Sequence, residues 1–157
     1  MRIIVVWTGK TKDRRLSSLV EEYLDRSRRM ARVEVVELRD RGGASSPKGE
    51  PIVLEREADA VLASIEEGDF VVLCDETGTE LRSTEFAGII SERQTRSTRR
   101  MVFVIGGYLG VSARIRNRAD QVLALSRMTL THEMARVLLA EQVYRALTIL
   151  NGVPYQK

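Results

Sequence analysis

The chain has 157 residues, 43% hydrophobic and 30% charged, which fits one folded domain with a real core and excludes a wholly disordered chain. No run approaches the roughly 20 apolar residues of a membrane span, the opening Met1–Trp7 is too short an apolar stretch for a signal peptide, and the single cysteine, Cys74, excludes an intrachain disulfide or a multi-cysteine zinc site, so the expected location is the cytoplasm. The net charge is +3, and 21 of the 25 basic residues are Arg, clustered at Arg26, Arg28, Arg29 and Arg32, at Arg93, Arg96, Arg99 and Arg100, and at Arg114, Arg116 and Arg118; such clusters suit a polyanionic partner, although a genome rich in Arg codons gives the same count.

Arg2 to Trp7 is a β-branched run that predicts a buried strand. A loop with Gly9 follows. Leu16, Leu19, Val20, Tyr23 and Leu24 recur at helical spacing and predict a helix from about Arg14 to Met30. Val33 to Leu38 predicts a second strand. The stretch 39–49, rich in Gly, Ser and Pro, reads as a flexible connection inside one domain spanning 1–157. Pro51 near a first turn and the stripe Leu54, Ala58, Val61, Leu62 and Ile65 predict a helix to about Ile65. Phe70 to Cys74 is apolar throughout and predicts a central parallel strand, with Thr77-Gly78 as the turn after it. Ser83 is the expected N-cap of a helix to about Ser97. Met101 to Ile105 predicts a fourth strand, Ser112 to Arg118 a short basic helix, and Gln121 to Leu125 a fifth strand. A last helix is predicted from about His132 to Leu150, stopped by Asn151-Gly152 with Pro154 beyond. The alternation implies an α/β fold, a mostly parallel sheet with helices on both faces.

In such sheets ligands bind outside the carboxyl ends of the strands. Three segments leave apolar strands there: Cys74 to Gly78, Gly106 to Gly110, and Ser126 to His132. The middle one has the spacing Gly-Gly-x-x-Gly, which matches neither the dinucleotide fingerprint nor the P-loop, so a tight turn and a ligand loop are both open. His132 is the sole histidine; no Gly-x-Ser-x-Gly elbow accompanies it, and one histidine cannot build a His-rich metal centre, so no metal site is expected. In the first turn of a helix its imidazolium is disfavoured, leaving an acceptor or substrate-orienting role beside the plainer reading of a half-exposed helix start. Glu141 and Arg145 stand at ion-pair spacing on the last helix. Tyr155 and Lys157 in the tail suit stacking on a base and meeting a phosphate, or simple fraying. The apolar residues Met134, Val137, Leu138, Leu139, Val143, Leu147 and Leu150 go round much of the last helix, which suggests that a second copy covers part of it.

These motifs occur in one order: Gly9-Lys10, then Phe103 to Gly110, then Leu123 to His132, then Arg136-Val137-Leu138-Leu139-Ala140-Glu141-Gln142-Val143-Tyr144-Arg145-Ala146, and Pro154-Tyr155 at the end. In this the chain resembles, over its whole length, the ribosomal large-subunit pseudouridine N3-methyltransferase (RlmH) family within the SPOUT methyltransferases. The resemblance implies a SPOUT-type α/β fold with a C-terminal trefoil knot, a rarity among folds, a homodimer, S-adenosylmethionine as methyl donor, and a pseudouridine in 23S rRNA of the ribosome as substrate. It carries the cofactor pocket onto Cys74, Gly106, Leu125, Ser126, Arg127, Met128, Thr129 and Leu130. The nucleotide pocket is expected to use His132, Tyr155 and Gln156, with Arg136 and Lys157 holding phosphates. Cys74 stands where the family often has Leu, a change that backbone contacts tolerate. Two further departures matter: Thr131 stands where Pro is usual and can N-cap the last helix instead, and Gln156 stands where His is usual and cannot titrate near neutral pH, although it can still orient a uracil-like ring. A noncatalytic ribosome- or RNA-binding factor of the same fold is the alternative. A dinucleotide-binding protein fits less well, because it lacks the glycine spacing.

Overall fold

A computed structural model of the chain describes residues 1–40 and 49–155; most of the expected flexible connection, and Gln156 and Lys157, lie outside the described residues. Among these, the strands are β1 (Arg2–Thr8), β2 (Arg32–Leu38), β3 (Phe70–Glu80), β4 (Arg100–Ile105) and β5 (Gln121–Ala124), and the helices are α1 (Arg14–Arg28), α2 (Glu50–Ala63), α3 (Ser83–Thr95), α4 (Ala113–Arg118) and α5 (His132–Leu150). The strands form one sheet in the order β2-β1-β4-β3-β5, and every pairing is parallel.

Parallel strands covered on both faces need apolar residues in both directions, which the runs in β1 and β4 supply. Ile3, Val5 and Trp7 point into one core with residues of α1, α3 and α5. Ile4 and Val6 point the other way, into a second core with Ala58 and Val61 of α2 and Ile115 of α4. The layers are thus three helices, sheet, two helices, as the alternation predicts. On the three-helix side α5 lies against both α1 and α3.

The helix ends follow local chemistry. Asp13 caps α1 by accepting from the Arg15 and Leu16 amides. Thr131 caps α5 by accepting from the Met134 amide, as the sequence suggests. Gly152 takes a positive φ of 65° just after α5, where a Cβ is disfavoured. Ser83 is not the cap of α3: Arg82 holds that position, and the Glu85 carboxylate accepts its amide at 2.6 Å. Ser83 instead donates its hydroxyl to Gln142 Oε1 of α5 at 3.0 Å.

The expected turn at Thr77-Gly78 is a bulge within β3. Leu123 of β5 pairs with Cys74 and again with Thr79, so residues 75–78 loop out between the two pairings. Glycine is needed here for close approach. A Cβ on Gly78 would lie 2.6–2.7 Å from backbone atoms of Val122 and Leu123.

The expectation that α5 leaves an uncovered apolar side is mostly not met. Val137, Leu139, Val143 and Leu147 are all below a tenth exposed within one chain, because α1, α3 and the sheet surround them. Met134 is the one large apolar side chain of α5 among the exposed ones, at 37%.

Candidate active site

The carboxyl ends of β3, β4 and β5 open on a cavity of about 720 Å³, within the range of ligand pockets. All three segments that leave these strands contribute to it. Cys74, Asp75, Glu76 and Thr77 come from the β3 bulge, Gly106, Gly107, Tyr108 and Gly110 from the loop after β4, and Leu125, Ser126, Met128, Thr129, Leu130 and Thr131 from the loop after β5. His132 and Ala135 of α5 and Arg116 of α4 complete the wall.

The glycine loop is a tight structure in its own right. The Gly110 amide donates to the Gly107 carbonyl at 3.1 Å, and Gly110 has a positive φ of 82°. A Cβ on Gly106 would lie 2.7 Å from Val111 Cγ1 and 2.8 Å from the Gly110 carbonyl oxygen. On Gly107 it would lie 2.9 Å from Glu57 Oε2, on α2. The turn and cavity-wall readings of these glycines therefore hold together.

One rim is tied through Asp75 and Glu76, which the sequence singles out for no role of their own. Asp75 Oδ1 accepts from the Thr77 amide at 2.9 Å and its hydroxyl at 2.6 Å, and Asp75 Oδ2 accepts from Arg116 Nη2 at 2.7 Å. Burial works to raise the Asp75 carboxyl, but Thr77 and Arg116 outweigh it and hold it below the usual range. Across the cavity the Thr129 hydroxyl donates to Glu76 Oε2 at 2.6 Å, linking the β3 bulge to the loop before α5. The acidic run Asp75-Glu76 at a strand end was the available signal. On the floor, burial pushes the Cys74 thiol up to about 12, so it is protonated and unreactive at neutral pH.

His132 faces the cavity. Its pKa is lowered, first by burial and then by the nearby Arg136 guanidinium, with Lys12 acting in the same direction. A neutral imidazole therefore stands at the wall, able to accept a proton.

Three residues lie elsewhere than expected. Arg136 is 1% exposed and cannot hold an external phosphate. Its Nη2 donates to the Thr8 carbonyl at 2.7 Å and its Nη1 to Thr11 Oγ1 at 2.9 Å, while its guanidinium carbon stands 5.1 Å from the Trp7 ring centroid. The residue faces inward, where, with no carboxylate bonded to it among the described residues, the cation is held by carbonyl, hydroxyl and ring. Arg127 does not line the cavity; it points outward and pairs with Glu80 at 3.1 Å. Tyr155 packs edge-on against Tyr144 at 4.7 Å between centroids, under the Arg145 guanidinium at 4.7 Å, away from its own chain's cavity. Arg145 is itself held by Glu141 Oε1 at 2.6 Å, so the ion pair legible in the sequence also serves as the seat of the tail.

The family model described as "Predicted SPOUT methyltransferase" matches residues 1–156. The chain belongs to the SPOUT methyltransferase family. As a SPOUT member it is a methyltransferase with S-adenosylmethionine as methyl donor. It is 41% identical over 155 residues to "Ribosomal RNA large subunit methyltransferase H" of Geobacter sp. strain M21, covering 99% of this chain and 98% of that protein. It is 40% identical over 159 residues to the protein of the same name from Carboxydothermus hydrogenoformans, covering all of both chains. The crystal structure of a probable methyltransferase from Bordetella pertussis has the same fold, with a TM-score of 0.56 at 14% identity over 93% of this chain and 96% of that one. The cavity fits a SPOUT donor: it has ligand size, an apolar floor of Ile105, Leu125 and Leu130, and carboxylates of Asp75 and Glu76 at one rim.

Proposed function

We propose that this SPOUT methyltransferase methylates N3 of a pseudouridine in 23S rRNA and works as a homodimer. The observation that carries the reading is the convergence on one cavity of the β3 bulge, the glycine loop, the loop after β5 and His132. The rRNA substrate is supported by the relatives, whose name states large-subunit rRNA.

When bound, the donor supplies a methyl group already activated on a sulfonium. Cys74, Gly106, Leu125, Ser126, Met128, Thr129 and Leu130, which line the cavity, would hold it. The protein's main task is to place the base nitrogen in line with that methyl. Orientation of this kind supplies roughly 7–11 kcal/mol of barrier reduction. N3 carries a proton that must leave before or during attack, and the neutral His132 imidazole is the group at the wall able to take it. Tyr155 seats against α5 of its own chain, outside its own cavity; in the homodimer of this reading the tail of one copy would serve the cavity of the other and stack on the base there. That exchange makes the dimer part of the site. The C-terminal knot belongs to the same reading. It is supported by membership of the SPOUT family, whose resemblance implies the knot.

The test is transfer of labelled methyl from S-adenosylmethionine to 70S ribosomes lacking the modification, followed by mass spectrometry of the 23S rRNA. One N3-methylated pseudouridine is expected. Label on ribosomal protein, or on another base, overturns the reading.

A further inference from the structure

The basic clusters that the sequence offers to RNA are largely spent on local partners. Arg28 pairs with Glu21 and Asp25, Arg93 and Arg96 with Glu92, Arg114 with Glu55 and Asp59, Arg116 with Asp75, and Arg118 with Asp120. Arg26 is held by Glu22. Arg29 and Arg99 lie at the opposite end of the sheet from the cavity, after α1 and before β4.

The segment between β1 and α1 differs. It is fixed to the first turns of α5 at four points, three on its backbone and one on the Thr11 side chain. Arg136 donates to the Thr8 carbonyl and to Thr11 Oγ1. Glu133 accepts the Lys12 amide at 2.8 Å on Oε1 and the Asp13 amide at 3.2 Å on Oε2. On its other side the Gly9 amide donates to the Leu38 carbonyl at 2.8 Å, with Gly9 at φ 76°. This is a rigid loop, and it is anchored to the same helical turn that presents His132 to the cavity. Lys10 and Lys12 stand exposed on it, and neither forms an ion pair among the described residues. The Lys12 amide bonds the Glu133 carboxylate, and Glu133 follows His132 of the cavity wall, which places Lys12 beside the cavity's edge.

We propose that Lys10 and Lys12, presented on a loop that Glu133 and Arg136 hold in place, are the phosphate contacts that seat the RNA strand beside the methyl-transfer cavity. This rests on the rRNA reading above. Lysine acts here as a point charge on the polyanion, and Glu133 and Arg136 are positioning residues that touch no RNA. The buried Arg136 thus serves phosphate binding at one remove, through the cations it places.

The experiment compares wild type, Lys10→Gln/Lys12→Gln, the double Arg replacement and Glu133→Gln on unmodified 70S ribosomes over a range of salt, with calorimetry of S-adenosylmethionine binding alongside. The double Gln variant is expected to lose about tenfold or more in kcat/KM, with the loss in KM, and to flatten the salt dependence of log kcat/KM by about one to two units of slope. The Arg pair restores it. Glu133→Gln raises KM in the same direction with both lysines present. An unchanged KM and salt slope in the double Gln variant overturns the proposal, as does a matching loss of S-adenosylmethionine affinity. Wild type that binds S-adenosylmethionine but transfers no methyl to ribosomes overturns the rRNA reading itself, and the inference with it.

Discussion

Replacing Arg136 with Met removes a buried cation while keeping an apolar stem of similar length. The hydrogen bonds to the Thr8 carbonyl and the Thr11 hydroxyl are lost. A buried acceptor deprived of its partner costs about 1–3 kcal/mol, and a desolvated cation–ring contact such as that on Trp7 contributes up to about 2 kcal/mol. Against this, Met no longer requires a charge to be taken out of water without a bonded carboxylate. The balance is a destabilisation of about 2–4 kcal/mol, which for a chain of this size lowers Tm by about 5–15 °C. Thermal unfolding with guanidinium unfolding as a check measures it. The loop before α1 should also loosen, with faster amide exchange at Lys12 and Asp13. A variant that melts within about 2 °C of wild type yet fails to bind ribosomes would mean that the guanidinium faces RNA after all, and would refute the inward placement.

Other outcomes follow from single features. Gly78→Ala forces a Cβ against the β5 backbone at 2.6–2.7 Å; it should cost about 1–3 kcal/mol or more, seen in urea unfolding, and a neutral result would contradict the close approach of the bulge. The His132 imidazole should titrate below 6.5 by NMR. Because the unfolded chain then takes up the proton first, His132 contributes stability that is present above pH 6.5 and is lost as pH falls through its folded value, a slope that His132→Gln should reduce; titration above 6.5 would contradict the burial argument. Cys74, with its thiol pushed up to about 12, should react with iodoacetamide at pH 8 far more slowly in the native protein than in urea. Tyr155→Ala should depress turnover on ribosomes while leaving S-adenosylmethionine affinity intact, since Tyr155 lies outside its own chain's cavity; unchanged turnover would remove the tail from the mechanism.

The strands were legible because a buried parallel strand must be apolar on both faces, and the runs at 3–7, 71–74 and 101–105 have few other uses. The cavity was legible for a related reason: strand carboxyl ends collect ligands, and three loops leave apolar strands there. The bulge at 75–78 was not, because the need for glycine at Gly78 comes from backbone far along the chain at Val122 and Leu123. Nor was the burial of Arg136, since a cation on an amphipathic helix reads as exposed until the Thr8 carbonyl and Trp7 are seen to meet it. The Arg clusters were legible as charge, but their pairing was not: the acidic partners at 55, 59 and 75 lie on other elements, and only the folded chain brings them together. The apolar circumference of α5 suggested a second copy, whereas α1 and α3 of its own chain cover most of it.

The methyl donor is proposed to sit in the cleft at the ends of β3, β4 and β5. A crystal structure grown with S-adenosylhomocysteine tests this directly. It should show the compound between the β3 bulge, the glycine loop and Leu125–Leu130, within reach of His132. Density for it at any other place on the molecule, with this cleft filled only by solvent, would contradict the account.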